Sequence, residues 1–261
     1  MKVIRESNIR AVCVESRPHP DFLGEKWWKD MDVILDEARK RDMKVWILDD
    51  SHFPTGYANG AIEGKSLDLR RQSIVTRTVK CEKSNVEMML PLEDIKNAQA
   101  WRPTPMEERM LKGKVPPVFD DDSIISVTAI RTDEKTEVID LSEQIPSGKI
   151  DFKVPEGDWK LVVCYRTRNR GPHRSYINMM DAKSCKVLID TVYEPHYQHY
   201  RDDFGTTIAG FFSDEPEIGN GHLYEMGKQI SELEDQAWSG EVEAELKKRW
   251  GRSFTAWLPL I

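Results

Sequence analysis

KVWILDDSHFPTGYANG, residues 44–60, decides how the rest of the chain is read. Its first part, KVWILDD (44–50), is a short apolar run of the kind that forms a strand buried on both faces. The run stops on two acids. The next ten residues, SHFPTGYANG (51–60), form a loop in which Gly56 and Gly60 allow tight backbone turns. Upstream, AVCVE (11–15) is a second short apolar run, and RPHPDFLG (17–24) is a loop rich in Pro and Gly. Between them and residue 44, EKWWKDMDVILDEARKRD (25–42) repeats Trp27, Met31, Ile34 and Ala38 at helical spacing. Acids open that helix and Lys40 and Arg41 close it, as the helix dipole favours. Strand, helix and strand make a βαβ unit, so the two strands are expected to be parallel.

Downstream the period changes. Over 72–170, SIVTRTV, SIISVTAI, KIDFKV and WKLVVCYRT alternate or are rich in β-branched residues, with PSGK and PEGDW as turns between the later ones. Residues 92–120 are irregular and contain prolines. This region reads as an inserted antiparallel, β-sandwich-like module. The helical signal then returns. KVLIDTVYEPHYQHYRDDF (186–204) is mostly helical, with Pro195 starting or kinking a segment, and TIAGFFSDEP (207–216) is a third buried strand ending in acids. Residues 222–236 and 240–250 have helical patterns. The expected organisation is an α/β segment over 1–71, the β module over 72–170, and the continuation of the α/β domain over 171–261.

Hydrophobic residues make up 39% and charged residues 32% of the 261, a globular composition. The net charge of −7 argues against a nucleic-acid or acidic-membrane partner, which would need a basic field. One basic cluster, Arg166, Arg168, Arg170 and Arg174, reads as a solvated strand end and loop. Cys13, Cys81, Cys164 and Cys185 contain no CxxC pair, so buried reduced thiols are expected and a zinc site has no support. No apolar run approaches a membrane span, and the N-terminus lacks a signal-peptide pattern. The cytosol is the default location, and any secretion signal would lie outside this chain.

In a parallel α/β barrel, function gathers where strands end. All three strand ends here are polar: Glu15, Ser16, Arg17 and His19 follow the first; Asp49, Asp50, Ser51 and His52 follow the second; Ser213, Asp214, Glu215, Pro216 and Glu217 follow the third. Glycosidic cleavage usually needs two carboxyl groups, one to protonate the leaving oxygen and one to attack or to activate water. Mutual repulsion within an acid cluster can keep one of them protonated. The residue before a proline is biased to extended backbone, so Glu215 should continue the strand line, with Ser213, Glu215 and Glu217 on one side and Asp214 on the other. The plainer alternative is that these acids belong to a loop or open a helix, most of all Glu217. His52, Phe53 and Tyr57 could form a platform for the apolar face of a sugar ring, or an ordinary βα loop. His19 and His52 lack metal-ligand spacing, so no metal site is assigned.

KVWILDDSHFPTGYANG resembles a segment of α-L-rhamnosidase-like glycoside hydrolases, in which a strand ends in Asp-Glu and is followed by Trp-Pro-Ser-Gly and a Gly-rich stretch. The run from Val187 through FGTTIAGFFSDEPE is similar to that family's helix and acid-bearing strand, and the inserted β module is similar too. The resemblance covers most of residues 1–220. It implies that Glu215 is the acid/base carboxylate, in the place where many barrel glycosidases have Asn-Glu-Pro, with Glu217 as the competing assignment and Asp214 beside them. It further implies that Asp49, Asp50 and His52 line the sugar site. The strand-end and loop readings add Glu15, His19, Phe53 and Tyr57 as further substrate-binding candidates. Asp50 stands where the family often has Glu, and Phe53 where it often has Trp. Some members use calcium, but no calcium cage is identifiable in these residues. A full barrel carries eight βα units in about 250 residues, and only three strands are convincing here. The expected fold is therefore a partial (β/α)8 TIM-type barrel with the β module inserted, and its open edges are expected to favour self-association. The expected function is hydrolysis of rhamnose-containing or related oligo- or polysaccharides. The alternative is a non-catalytic carbohydrate-binding or truncated remnant of such an enzyme.

Overall fold

In the computed structural model, the described residues are 1–82, 84–93, 95, 105, 108–109, 116–133, 137–171, 173–218, 235–251 and 254–260. The chain is a mixed α/β protein that divides into two units. One comprises Met1–Arg70 and Ser175–Ile218, the other Arg71–Arg174 and Gly219–Ile261.

A short helix, α1 (Lys2–Glu6), opens the first unit and leads into β1 (Ala11–Val14). Helix α2 (Glu25–Lys40) follows, then β2 (Lys44–Leu48). Trp27, Met31, Leu35 and Ala38 are the buried residues of α2. Leu35 thus takes the place expected for Ile34, which is only partly buried against the same core. A helical segment then runs through α3 (Ala182–Leu188), a π-helical turn (Ile189–Tyr193) and α4 (Glu194–Tyr200). Pro195 lies in the first turn of α4, where its missing N–H costs least. The wider π turn sits directly before it. Strand β9 (Ile208–Phe212) ends the unit's sheet.

β1 pairs with β2 and β2 with β9, all parallel. One face carries Val12, Val45, Ile47 and Ile208 into a core shared with α2 and the 182–200 helix. On the other face, Cys13, Trp46 and Phe212 are exposed, Trp46 at 41% and Phe212 at 47%. The Trp46 ring lies across Gly210, where a β-carbon would sit 3.2 Å from it. The sheet is open, with β1 and β9 as its edges, and no closed barrel occurs among the described residues.

The second unit is antiparallel. Its strands are β3 (Gln72–Lys80), β4 (Glu87–Pro91), β5 (Ser123–Arg131), β6 (Val138–Asp140), β7 (Lys149–Lys153), β8 (Trp159–Thr167) and β10 (Asp235–Trp238). Five of them form a sheet in the order β10-β3-β8-β5-β6, while β4 pairs with β7. Alternation sorts the large sheet's side chains. Val127, Ala129, Leu161 and Val163 pack with Ile150 and Phe152 of β7. Ile130, Val162 and Cys164 point the other way, to Trp238 and Phe254. That second face is covered from α5 (Gly240–Trp250) and α6 (Phe254–Trp257), through Val242, Leu246 and Phe254.

Three sequence expectations are corrected here. Residues 235–238 form a strand on β3, not the end of a helix, because Trp238 is buried in this second core; residues 222–234 lie outside the described set. Residues 235–260 accordingly belong with the β unit, not with the α/β segment assigned to 171–261. The basic cluster also departs from expectation. Arg168 and Arg174 are buried, Arg168 donating from Nε to Asp121 at 2.6 Å and Arg174 from Nη1 to the Pro117 carbonyl at 2.8 Å. Among the described residues, no helix is long and apolar enough to cross a membrane.

Candidate functional site

The polar ends of β1, β2 and β9 meet in the first unit. A parallel sheet brings its C-terminal strand ends to one edge, and here the central strand supplies two adjacent acids. Asp49 and Asp50 are both fully buried. Alternation sends them to opposite sides, and each is satisfied differently.

Asp49 is met by hydroxyls. Thr55 donates to its Oδ1 at 2.7 Å and Tyr193 to its Oδ2 at 2.6 Å, and Ser213 donates to Oδ2 as well. This one carboxylate therefore ties β2 to the loop after it, to the π turn and to the end of β9. Burial, followed by the hydrogen bond to Asp49, pushes the Tyr193 phenol above its ordinary range and keeps it a donor.

Asp50 is met by main chain. Its Oδ1 accepts the N–H of His52 at 3.2 Å and of Asn59 at 3.1 Å; its Oδ2 accepts those of Gly56 at 3.0 Å and Ala58 at 2.8 Å. The loop thus wraps round a single carboxylate. Its backbone is unusual: the Phe53–Pro54 peptide is cis, and Gly56, Ala58, Asn59 and Gly60 all have positive φ. At Gly56 the Tyr176 ring occupies the space a β-carbon would need. The Tyr176 hydroxyl donates to the Thr55 carbonyl and accepts the Glu217 N–H at 3.0 Å, pinning this loop to the segment after β9.

Above these buried acids, Arg17 joins the ends of the two outer strands. Its Nε and Nη2 lie 2.5 and 3.2 Å from the Glu15 carboxylate, and its Nη1 lies 2.7 Å from Asp214 Oδ2. Its guanidinium sits 5.5 Å over the Phe53 ring. The hydrogen bond from Arg17 holds the Glu15 carboxyl below its usual range, and Glu15 in turn raises Arg17. The Asp214 N–H donates to Thr55 Oγ1 at 2.9 Å.

Glu215 departs from the extended geometry expected of a residue before proline. Its φ is +46°, in the left-handed region, and its side chain is exposed, without a hydrogen bond or ion pair among the described residues. The expected sharing of one side by Ser213, Glu215 and Glu217 therefore does not hold: the strand ends at Phe212, Glu215 faces solvent, and Glu217 is buried. A non-glycine residue held at positive φ costs about 1–3 kcal/mol and is retained where its surroundings force it. Here the Asp214 contacts on one side and the Glu217–Tyr176 bond on the other fix the turn.

Of the loop candidates, His52 is half exposed, its Nδ1 3.0 Å from Ser51 Oγ and its ring 5.2 Å from that of Tyr57. Phe53 is 39% exposed. His19 points elsewhere. Its Nδ1 accepts the Asp21 N–H, its Nε2 lies 3.2 Å from Asp30 of α2, and its ring packs edge-on against Trp27. Among the described residues, no three His, Cys, Asp or Glu side chains gather as a metal-ligand set.

Thr55, Tyr176 and Tyr193 were not singled out from sequence. Tyr193 lies 144 positions from Asp49, on a helix whose period alone does not distinguish it from its neighbours. Compared with models of known protein families, with curated proteins and with solved structures, the chain gives no match in any of the three.

Proposed function

We propose that the first unit is the acid-bearing part of a (β/α)-barrel glycoside hydrolase of the α-L-rhamnosidase-like kind, acting on rhamnose-containing or related glycans. The observation that carries this reading is the joining of three parallel strand ends through carboxylates: Asp49 to Ser213, and Arg17 to both Glu15 and Asp214. Barrel enzymes build their sites from the ends of several strands at this edge. The exposed Cys13, Trp46 and Phe212 support the partial-barrel reading, because the face opposite the helices in a barrel is its filled interior.

In this proposal the exposed Glu215 is the general acid toward the glycosidic oxygen. Asp214, held by Arg17, orients the turn that presents it, and Glu217 anchors that turn through its N–H. Phe53, His52 and Tyr57 form the wall that a sugar ring contacts. Asp49 and Asp50, both buried, position the loop and β9 beneath. The sheet face left exposed among the described residues also favours a second reading, in which the unit binds carbohydrate without cleaving it.

Hydrolysis of a panel of aryl glycosides, α-L-rhamnosides included, separates the two. Turnover of a rhamnoside above the other sugars supports the hydrolase. Saturable binding of rhamnose-containing oligosaccharides with no turnover supports the second reading, and neither turnover nor binding contradicts both.

A further inference from the structure

The second unit has a cavity of about 510 Å³ between the β5–β8 pair and helices α5 and α6. That volume is within the range of small-ligand sites, roughly 300–1,000 Å³. Its lining is chemically divided. Ile124, Ile125 and Phe254 give an apolar surface, while Arg166, Lys247 and Glu243 bring charge. Glu243 is already paired with Lys247 at 2.5 Å. Arg166 is different. It is partly buried, and its Nε is closed to solvent and meets no acceptor among the described residues. No carboxylate there forms an ion pair with it. Among the described residues, the lining carries two cations and one anion, one positive charge in excess.

We propose that this cavity is a binding site for a small monocarboxylate with an apolar flank, of the size of a sugar acid. A guanidinium is a planar fork whose two terminal nitrogens match a carboxylate. Ile124 and Ile125, both only partly buried, would take the C–H face of a sugar ring. Ser123 and Thr255, which also line the cavity, supply hydroxyls for ring oxygens. The site lies wholly within the second unit and does not depend on the hydrolase reading of the first.

The test uses the intact chain, with D-glucuronate as probe, and D-glucose and sulfate as controls, followed by calorimetry or chemical-shift titration. Glucuronate is expected to bind with Kd of about 1 mM or tighter, glucose and sulfate at least about tenfold more weakly. Arg166→Gln should lose about tenfold or more, while Arg166→Lys, which keeps the charge but not the fork, should lose less. Lys247→Gln, an exposed change on α5, should weaken binding about threefold. Glu215→Gln should leave glucuronate binding unchanged, which separates this cavity from the first unit's site. The proposal is overturned by an absence of glucuronate binding up to about 50 mM. It is equally overturned if glucose or sulfate matches glucuronate, or if a folded Arg166→Gln binds as well as the parent.

Discussion

Replacing Asp50 by Asn would test how the 51–59 loop is held. In the native chain the carboxylate accepts four backbone N–H groups, two at each oxygen. An amide keeps one oxygen and puts an NH2 in place of the other. Whichever way it turns, two backbone donors then face a donor. The Gly56 and Ala58 N–H groups are buried, so if they lose their acceptor, water is not at hand to replace it. An unsatisfied buried donor costs about 1–3 kcal/mol, and hydrogen bonds to a charged acceptor are at the strong end. Two lost acceptors bring the expected loss to about 2–4 kcal/mol, the lower figure if the NH2 turns to the part-buried His52 and Asn59 N–H groups, against the 5–15 kcal/mol that holds a typical domain. Hydrogen exchange resolved by peptide is the suitable assay, because the loss belongs to the first unit alone. Amides of residues 52–59 should lose protection in Asp50→Asn, while β5 and β8 keep theirs. Urea unfolding should show the same loss in the first unit's transition. Unchanged protection over 52–59, together with stability within about 0.5 kcal/mol of the parent, would refute the loop-anchor role.

Other outcomes follow from buried groups. His196 is fully buried and neutral, accepting the Trp27 indole N–H at 2.9 Å and donating from Nδ1 to the Val192 carbonyl at 2.7 Å; burial pushes its pKa down to about 4. The unfolded chain, with a value near 6.5, takes up the proton first as pH falls. This stability is therefore complete above about pH 6.5 and is lost by about pH 4, an effect of roughly 3 kcal/mol. Urea midpoints against pH should flatten over that window in a folded His196→Gln. Gly56→Ala puts a β-carbon into the Tyr176 ring at a φ of +140°, and a loss of about 3 kcal/mol or more is expected by thermal melt. Burial raises the Cys164 thiol to about 11, so a thiol reagent should label it only on unfolding, whereas the exposed Cys13 should react in the native chain.

The elements legible in the sequence are those whose burial writes a period into it. Ala11–Val14, Lys44–Leu48 and Ile208–Phe212 are apolar runs and strands of one parallel sheet, and α2 shows its buried stripe, but the expected burial of the strands on both faces does not hold, since Cys13, Trp46 and Phe212 are exposed. In the β unit, Leu161 and Val163 alternate with Val162 and Cys164 because both faces of β8 are covered. Asp235–Trp238 carries no such signal. It is a strand because β3 offers it an edge and Trp238 fills the core beyond.

The acids of the candidate site were legible as a set, but not their individual surroundings. Nothing in KVWILDD says that Asp49 will meet three hydroxyls and Asp50 four amides, because those donors come from loop geometry and from residues far along the chain. Glu215 is the sharpest case. The local rule for residues before proline points to extended backbone, and the observed +46° reverses it. The Arg17–Asp214 pair and the Tyr176–Glu217 bond, both long-range, determine the turn.

The leaving-group dependence of hydrolysis tests the assignment of Glu215 most directly, comparing the parent with Glu215→Gln on rhamnosides. A general acid matters most when the departing oxygen is basic. If Glu215 donates that proton, the variant should lose about 100-fold or more on alkyl and simple phenyl rhamnosides, and much less on a dinitrophenyl rhamnoside. Equal losses across all leaving groups, or full activity in the variant, would contradict the assignment.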